Sequence, residues 1–496
     1  MRLDCILDGV CPQVAAVEVT GLDYDSRQAG PGTLFFCVTG SHSDGHDHAP
    51  EAVRRGAAAL VVQRPLGLGV PEIRVPSARA AMGPAAARFF DHPSRCLDVA
   101  GITGTNGKTT TAFLLRSLLE AAGRPCGLLG TVKSVVGGET LAVKRTTPEA
   151  IDLQGALRAM VDAGDRACAM EISSHALELG RADGVRFAVA LFTNLTQDHL
   201  DFHLTMEDYY AAKRRLFCAG VSAVVNVDDP YGRRLAGELT GAVTVAIDSP
   251  ADYRARDIVA GASGCEFTVD GPEGEASPRL RLPLPGHFNV ANALGAYAAA
   301  RLLGVAVSTI VAALPQVDPV PGRMEPVAQG QDFAVLVDYA HTPDSLANVL
   351  RAARPLAHGG LTCVFGCGGD RDRGKRPQMG AIAVTHADRV IVTSDNPRSE
   401  RPEAIIAEIL AGVDPPRPSG PPATTEVETI VDRREAIRRA LTRAGPGDVV
   451  IIAGKGHEQG QELADGRRVA FDDVVVAREA LHDLLAGSRA SRSLSR

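Results

Sequence analysis

The stretch Gly101-Ile102-Thr103-Gly104-Thr105-Asn106-Gly107-Lys108-Thr109-Thr110 decides the fold of the central part of the chain. The apolar segment Leu97–Ile102 runs into a glycine-rich turn, and a helix is predicted to follow over Thr110–Ala122. Backbone N–H groups in such a turn, together with the positive end of the helix dipole, bind phosphate. Lys108 is expected to reach the outer phosphates of a nucleotide, and Thr109 to bind Mg²⁺. The strict pattern has a glycine where this chain has an isoleucine, so the motif is a shortened phosphate-binding loop.

Outward from this motif, short segments rich in Val, Ile and Ala alternate with Gly/Asp/Asn/Ser-rich loops and helical segments. This alternation is typical of parallel α/β units and predicts an α/β fold. At roughly 150 residues per domain, the 496 residues suggest three domains, with links near Asp91–Ser94 and Pro315–Gly322. The predicted strands are Leu60–Gln63, Glu72–Val75, Leu97–Ile102, Ala167–Ile172, Ala188–Thr193, Ala223–Asn226, Phe333–Asp338, Leu361–Phe365, Arg389–Val392 and Val449–Ala453.

Composition excludes several classes of protein. Apolar residues make up 45% of the chain, which is too many for a disordered protein, and the net charge of −7 argues against a nucleic-acid partner. The sequence contains no uninterrupted apolar run of about 18 residues, the length needed for a membrane span. The first residues, Met1–Cys5, do not resemble a secretory signal. The ten cysteines form no C-x-x-C pair. We therefore expect reduced thiols and a cytoplasmic location.

Acids and histidines follow two predicted strands of the central domain. Glu171 has the oxygen chemistry that Mg²⁺ prefers. A zinc site built from His175, His199 and His203 lacks the usual ligand spacing and is disfavoured. The segment Ser41–His48 is rich in Ser, His and Asp, but a polar surface loop is a better interpretation than a metal site.

Lys213 lies in a predicted helix, and its spacing alone suggests an ordinary solvated lysine. The nucleotide site by itself leaves four classes of protein open: a motor, a switch, a kinase and a ligase.

Several motifs together resemble the Mur ligases, ATP-dependent enzymes that form amide bonds in peptidoglycan assembly. They are Gly104–Thr109, Glu171–His175, Asn194–His203, Lys213, Asn289–Asn292, Gly322-Arg323 and Asp338–His341. The similarity extends from about Tyr24 to Glu458. It implies a UDP-binding domain over residues 1–95, a P-loop-type ATP-binding domain over 96–320 and a Rossmann-like amino-acid-binding domain over 321–496.

The resemblance also implies roles for individual residues. The positions expected to bind ATP are Gly104, Thr105, Asn106, Gly107, Lys108, Thr109, Thr110, Asn292, Arg323, Asp338 and His341. Those expected near the UDP end are Tyr24, Ser26, Ser41, His42 and Ser43, and those near the muramoyl dipeptide are Thr146, Thr147, Ser173, Leu179 and Arg181. Those associated with Mg²⁺ are Thr109, Glu171, His199 and a carbamylated Lys213, and the catalytic set is Lys108, Glu171, His199 and Lys213. Leu179 replaces a frequent glutamine, and Arg145 stands where some members have asparagine.

The amino-acid contacts implied by the resemblance suit diaminopimelate. They are Arg371, Asp395, Asn396, Pro397, Arg398, Gly454 and Glu458. The planar guanidinium of Arg398 suits the distal carboxylate of diaminopimelate, and Asp395 and Glu458 can hold the distal ammonium. We therefore expect ATP-dependent addition of meso-2,6-diaminopimelate to UDP-N-acetylmuramoyl-L-alanyl-D-glutamate through an acyl phosphate, by a monomer that uses ATP and Mg²⁺.

Four alternatives are a lysine-adding Mur ligase, a folylpolyglutamate synthetase, a P-loop switch or motor and a UDP-sugar-binding module. Arg398 and the pair Thr146-Thr147 argue against the first two. A switch or motor leaves Arg371, Asp395 and Glu458 unexplained, and a binding module leaves Lys108-Thr109 without a role.

Overall fold

The computed structural model describes residues 1–9, 15–40, 43–143, 145–218, 220–261, 264–272, 277–413 and 425–494. Three main sheets follow one another along the chain. The N-terminal sheet is parallel, with strands Gly21–Asp23, Thr33–Phe36, Ala59–Val62 and Glu72–Arg74 in that spatial order. Its unit includes the helices Leu3–Ile6, Ala49–Arg54 and Ala78–Phe89. Every residue of the two inner strands, Thr33–Phe36 and Ala59–Val62, is buried, as expected of the middle of a parallel sheet.

The central sheet has eleven strands and carries the phosphate-binding loop. In spatial order they are Arg279–Leu282, Gly264–Asp270, Tyr253–Gly261, Val243–Ala246, Ser222–Asn226, Val189–Phe192, Asp98–Thr103, Ala167–Glu171, Cys126–Leu129, Ser134–Val136 and Glu139–Leu141. The middle of the sheet is parallel, and antiparallel pairs extend it at both edges. The helices of this unit are Lys108–Ala121, Ala150–Asp162, Ser174–Glu178, Met206–Arg214, Pro230–Glu238, His287–Leu302 and Val307–Ala313.

Two hydrophobic layers hold this sheet, one on each face. Helices Lys108–Ala121 and His287–Leu302 pack against each other and cover one face with Leu, Val and Ala side chains. Leu153, Tyr209 and Phe217 belong to the layer on the other face. This packing fixes the carboxyl ends of the parallel strands, from which the loops of the candidate site emerge.

The C-terminal sheet has six strands, and only its first strand is antiparallel to its neighbour. In spatial order they are Glu325–Pro326, Ala334–Asp338, Val449–Ala453, Leu361–Phe365, Arg389–Val392 and Glu426–Thr429. The helices are Pro343–Ala353, Lys375–His386, Pro402–Leu410, Arg433–Arg443 and Asp473–Leu494, and Gly460–Glu462 pairs with Arg468–Ala470 as a separate hairpin. Helices on both faces of a parallel sheet give a Rossmann-like architecture.

The predicted α/β class with a phosphate-loop sheet and a Rossmann-like sheet is confirmed. The predicted helix at Thr110 begins two residues earlier, at Lys108, because Gly107 adopts a left-handed conformation with φ of 85° and caps it. Along the described residues, no helix combines the length and the apolarity needed to cross a bilayer.

Candidate active site

A cavity of about 820 Å³ lies where the carboxyl ends of the central strands face the C-terminal sheet. Its walls come from both units: the phosphate-binding loop and Glu171 on one side, and Arg323 and Asp338–His341 on the other. Ligands of open parallel sheets bind at this edge, where the loops carry polar side chains.

Neighbouring strand ends fix the phosphate-binding loop. The backbone N–H of Thr105 donates to the carbonyl of Asn194 at 2.9 Å, and that of Asn106 donates to the side-chain oxygen of Asn194, also at 2.9 Å. A side chain at Gly107 would collide with Oδ1 of Asn292, which explains the glycine at that position. These contacts fix the shape of the loop.

Lys108 folds back over this loop. Its ammonium donates to the carbonyls of Gly104 at 2.9 Å and Thr105 at 2.7 Å. Burial lowers the pKa of Lys108, and Glu171 and Asp198 partly offset this. The first-turn N–H groups of the following helix have no partner within the helix, so this end of the cavity suits a phosphate chain.

Glu171 is the centre of an oxygen cluster beside the loop. Its carboxylate accepts hydrogen bonds from the Thr109 hydroxyl at 2.9 Å and from the Thr131 N–H and hydroxyl at 2.7 and 3.0 Å. Sequence reasoning missed Thr131. The available signal was its position directly after the strand Cys126–Leu129, at the same edge of the sheet. Carboxylate and hydroxyl oxygens side by side form a donor set suited to Mg²⁺.

Lys213 is fully buried, so the interpretation of a solvated surface lysine is wrong. Its ammonium donates to the carbonyl of Gly104 at 2.8 Å and lies 4.5 Å from the ring centre of Tyr209. Burial, followed by the positive charge of Lys108, holds the pKa of Lys213 well below its ordinary value. The environment therefore favours an uncharged amine.

His199 and Asp198 form the adjoining wall. His199 has a left-handed backbone, with φ of 56°, and its ring meets that of His175 edge to face at 4.8 Å. Burial lowers the pKa of His199 to about 3 and that of His175 to about 4, so both rings are neutral at neutral pH. Burial alone would raise the pKa of Asp198, but His199, His341 and Lys375 together hold it well below its ordinary value.

The disfavoured metal sites remain unsupported. In the part of the chain that the structure describes, no three His, Cys, Asp or Glu side chains are arranged to hold a metal ion. In the segment Ser41–His48, the buried His46 bonds Asp44 at 2.6 Å and accepts from the N–H of Gln63 at 3.0 Å. Ser41 and His42 lie outside the described residues.

Two hydrogen bonds connect the phosphate loop to the C-terminal unit. The Arg323 guanidinium donates to the Thr109 hydroxyl at 3.1 Å, and the Asn106 amide donates to the Asp344 carboxylate at 2.9 Å. Asp338 is buried and accepts from the N–H groups of Met324 and Ala340 at 2.7 and 2.8 Å, which fixes the turn that carries Arg323. The nucleotide positions expected from sequence thus meet across the cavity.

The expected dipeptide residues mostly line the cavity beside Glu171. The Thr147 hydroxyl donates to the carbonyl of Glu171 at 2.8 Å and accepts from the N–H of Ser173 at 3.1 Å. Thr146 and Arg181 also line the cavity, as does Arg145, whereas Leu179 does not.

The expected UDP positions that the structure describes lie outside the cavity lining, in the N-terminal unit. The Tyr24 hydroxyl donates to Asp152 at 2.7 Å, Ser26 is buried and Ser43 bonds His48 at 2.8 Å.

The expected amino-acid residues form a second cluster, on the C-terminal sheet, and none of them lines the cavity. Gly454 follows the strand Val449–Ala453, and a side chain there would collide with Oδ2 of Asp395. The Asn396 amide donates to Glu458 at 2.8 Å. Pro397 is buried, and the exposed Arg371 donates to the carbonyl of Asp370 at 2.8 Å.

Lys455 and Arg398 make further hydrogen bonds that hold this cluster. Lys455, which sequence reasoning missed, is fully buried and donates to Asn396 Oδ1 and to Glu458 Oε2, both at 2.9 Å. Arg398 has a left-handed backbone, with φ of 49°; its Nε donates to Glu462 at 2.8 Å and its Nη1 to the carbonyl of Gly369 at 2.8 Å. Such a strained conformation is typical of binding sites.

Comparison with known proteins identifies the family. Three family models match: "Mur ligase family, catalytic domain" over residues 18–90, "Mur ligase middle domain" over 102–300 and "Mur ligase, glutamate ligase domain" over 322–456. The chain is 48% identical to a UDP-N-acetylmuramoyl-L-alanyl-D-glutamate–2,6-diaminopimelate ligase of Synechococcus elongatus, over 95% of this chain and 96% of that protein. The chain belongs to the Mur ligase family. A ligase of the same name from Streptomyces coelicolor is 46% identical, over 95% of this Mur ligase and 94% of that protein.

Solved structures agree with this membership. A UDP-N-acetylmuramoyl-L-alanyl-D-glutamate–2,6-diaminopimelate ligase is 34% identical with a TM-score of 0.67, covering 97% of this Mur ligase and 99% of that chain. The MurF ligase of Thermotoga maritima, solved with ADP, is 18% identical with a TM-score of 0.63, covering 96% and 99% of the two chains, and shares the fold. As a Mur ligase, the chain is an ATP-dependent ligase.

Proposed function

We propose that this Mur ligase joins meso-2,6-diaminopimelate to UDP-N-acetylmuramoyl-L-alanyl-D-glutamate in peptidoglycan synthesis, with ATP as the energy source. The observation that carries the proposal is the 48% identity, over 95% of the chain, to a ligase of that name. The Asp395–Arg398 segment, whose charges suit both ends of diaminopimelate, supports the choice of amino acid.

ATP binds in the cavity between the central and C-terminal units. The phosphates are surrounded by the backbone of Gly104, Thr105, Asn106 and Gly107. Lys108 moves from the loop carbonyls to phosphate oxygens. Thr109 and Thr110 lie in the first turn of the helix beneath the phosphates. Asn292, Arg323, Asp338 and His341 contact the nucleotide from the other walls. Lys108 is partly buried, so the attraction of its ammonium for phosphate is screened less than in water.

Mg²⁺ fits the residues present. Thr109, Glu171, His199 and a carbamylated Lys213 would hold it, and phosphate oxygens complete a ligand set that side chains alone do not form. When bound, the metal neutralises phosphate charge as the two anionic substrates meet.

Carbamylation follows from the chemistry of Lys213. Burial and the positive charge of Lys108 lower the pKa of its amine, which favours the uncharged, nucleophilic form. The nitrogen lone pair attacks the carbon of CO₂, an N–C bond forms as one C–O π bond opens, and the nitrogen loses a proton, leaving a carbamate anion in place of the neutral amine.

The reaction itself needs positioning more than covalent help from the protein. The D-glutamyl side-chain carboxylate attacks the γ-phosphorus of ATP, the bond to the ADP oxygen breaks, and an acyl phosphate forms. The diaminopimelate amine then attacks the carbonyl, loses a proton, and inorganic phosphate leaves. Residues from two units line the cavity, and closure of the C-terminal unit over it would exclude water from the acyl phosphate.

The C-terminal cluster binds diaminopimelate. Arg371 and Arg398 flank Gly368 and receive the distal carboxylate, for which Arg398 exchanges its bond to Glu462. Asp395 and Glu458 receive the distal ammonium, while Asn396, Pro397 and Gly454 form the backbone of the pocket.

Tyr24, Ser26, Ser41, His42 and Ser43 bind the UDP end of the other substrate. Thr146, Thr147, Ser173 and Arg181, with Leu179 beside them, bind its dipeptide. The domains extend over 1–95, 96–320 and 321–496, and the protein acts as a cytoplasmic monomer.

Phosphate release measured with each candidate amine tests the function. Release should require ATP, the UDP-muramoyl dipeptide and diaminopimelate together, and a mass increase of the dipeptide by one diaminopimelate residue should accompany it. Equal release with lysine, or release without the dipeptide, would overturn the proposal.

A further inference from the structure

Glu149 stands among three arginines at the dipeptide end of the cavity. Its carboxylate, only 6% exposed, lies 2.9 Å from Arg181 Nε, 3.2 Å from Arg79 Nη1 and 3.6 Å from Arg145 Nη1. Glu149 is the N-terminal capping residue of the helix Ala150–Asp162, two positions after Thr147. None of these contacts is accounted for by the nucleotide or the amino-acid site.

The cluster has more positive than negative charge. Three guanidinium groups face one carboxylate, and Arg181 is buried enough that its pKa is lowered from the ordinary value. Arg145 and Arg181 line the cavity beside Thr146 and Ser173, whereas Glu149 and Arg79 do not. One carboxylate offsets only part of the charge of three guanidinium groups, so the cavity wall formed by Arg145 and Arg181 suits a second anionic group, such as a substrate carboxylate.

Arg79 comes from another part of the chain. It lies on the helix Ala78–Phe89 of the N-terminal unit and is 70 positions from Glu149. That helix packs against Ala150–Asp162, and Ala150 and Ile151 belong to the hydrophobic core of the N-terminal unit. Apolar packing therefore holds the two helices together without help from the charge of Glu149. That charge can instead orient the neighbouring arginine side chains.

We propose that Glu149 is a positioning residue for the acyl substrate. It holds the guanidinium groups of Arg181 and Arg145 so that they bind the D-glutamyl carboxylate that is not activated, and it is held in turn by Arg79. Fixing this carboxylate leaves the side-chain carboxylate facing the phosphates. The inference rests on the proposed function and adds a group that does not itself touch the substrate.

The substitution Glu149→Gln tests this role because it keeps the size of the side chain and removes its charge. We expect the KM for the UDP-muramoyl dipeptide to rise about 10- to 100-fold, since small misplacements of binding groups have effects of this size. The KM values for ATP and diaminopimelate should stay within about twofold of the wild type, because neither contacts the cluster.

Calorimetric binding to the full-length protein separates orientation from general damage. Three ligands are compared: UDP-N-acetylmuramic acid, the UDP-muramoyl dipeptide, and the dipeptide with its α-carboxylate converted to an amide. Glu149→Gln should weaken only the dipeptide, and the amide analogue should bind wild type and variant equally. Equal weakening of all three ligands, or unchanged binding of the dipeptide, would overturn the proposal.

Glu238→Gln is the matched control. Glu238 also stands between two arginines, Arg214 and Arg234, but on the central unit and away from the cavity lining. This variant should bind all three ligands like the wild type. Arg79→Met should reproduce a weaker form of the Glu149→Gln effect. If the wild type binds the dipeptide as expected but releases phosphate with another amine, the proposed function fails while this inference stands.

Discussion

Two lysine side chains donate to the same carbonyl oxygen, that of Gly104. The distances are 2.9 Å for Lys108 and 2.8 Å for Lys213, and burial lowers the pKa of both amines. Two ammonium groups so close together are unfavourable unless one becomes neutral or an anion arrives. The site is therefore arranged for phosphate at one lysine and for loss of the positive charge at the other.

Lys108→Ala should reduce kcat by about 100- to 1,000-fold, because it removes a partly buried cation that stabilises charge on the phosphates. Its melting temperature should stay near that of the wild type, since the loop is fixed by Asn194. Phosphate release and thermal unfolding check the two expectations. Lys133→Ala, which removes a lysine lying over Phe113, is the control and should keep full activity.

Lys213→Ala should also abolish most activity, but millimolar formate or acetate should restore part of it by supplying the missing carboxylate. Activity assayed with and without the acids checks this, with Lys108→Ala as the variant that no acid should rescue. An active Lys213→Ala enzyme would show that the lysine only fills space.

Arg398→Ala should lower kcat/KM for diaminopimelate by about 30- to several-thousand-fold, the range for losing a hydrogen-bonded charge pair. Lysine, which lacks the distal carboxylate, should be used poorly by the wild type, and the variant should lose that discrimination. Arg398→Lys keeps the charge without the fork and should fall between the two. Full retention of the preference by the alanine variant would contradict the assignment.

At the scale of elements, the loops after parallel strands account for what could be predicted. The phosphate loop and Asp395–Arg398 each follow a strand, and Glu171 ends one, and the apolar composition of these strands is plain in the sequence. Thr131 and Lys455 follow strands too, yet an isolated threonine or lysine gives no local signal. The spacing around Lys213 suggested a solvated side chain, and only the family resemblance implied a role in the site, because a helix sequence does not show which long polar side chain points inward.

The edge strands were the harder part of the fold. Ser134–Val136 and Glu139–Leu141 are short and partly exposed, so they lack the apolar run that identifies Asp98–Thr103. The contact between Arg79 and Glu149 joins two sequence-distant helices. Sequence patterns within one helix or strand cannot predict a contact between residues 70 positions apart.

Lys455, in the segment Gly454–Glu458, is expected to affect the binding of diaminopimelate. Lys455 fixes both Asn396 and Glu458, so Lys455→Met should free their side chains and raise the KM for diaminopimelate about 10- to 100-fold. The KM for ATP should not change, because the cluster lies outside the cavity lining. Steady-state kinetics with each substrate varied in turn distinguishes this outcome from a general loss of folding, which would lower active enzyme without moving either KM.

At the scale of the whole molecule, partly buried histidines connect stability to pH. Burial lowers the pKa of His175 and His457 to about 4 and that of His199 to about 3, below the ordinary value near 6.5. As pH falls from about 6.5 towards 4, the unfolded chain gains protons that the folded chain does not. The free energy of unfolding should therefore decrease across this window.

Melting temperatures measured from pH 7.5 to 4.5 check this dependence. His175→Gln should show a smaller decrease than the wild type, because it removes one of the groups that protonate only on unfolding. His482→Gln, which changes an exposed histidine, is the control and should follow the wild type. Parallel curves for all three proteins would contradict the explanation.

The amino-acid cluster and the nucleotide cavity share none of their expected binding residues, and the former lies wholly on the C-terminal sheet. Natural selection can consequently change which amine is accepted without disturbing the machinery that couples it to ATP. The same unit also carries Arg323, Asp338 and His341, which line the nucleotide cavity. Substrate choice can therefore diverge by changes in the loops that carry Arg371, Asp395–Arg398 and Gly454–Glu458, while the strands and the nucleotide contacts of this unit stay the same.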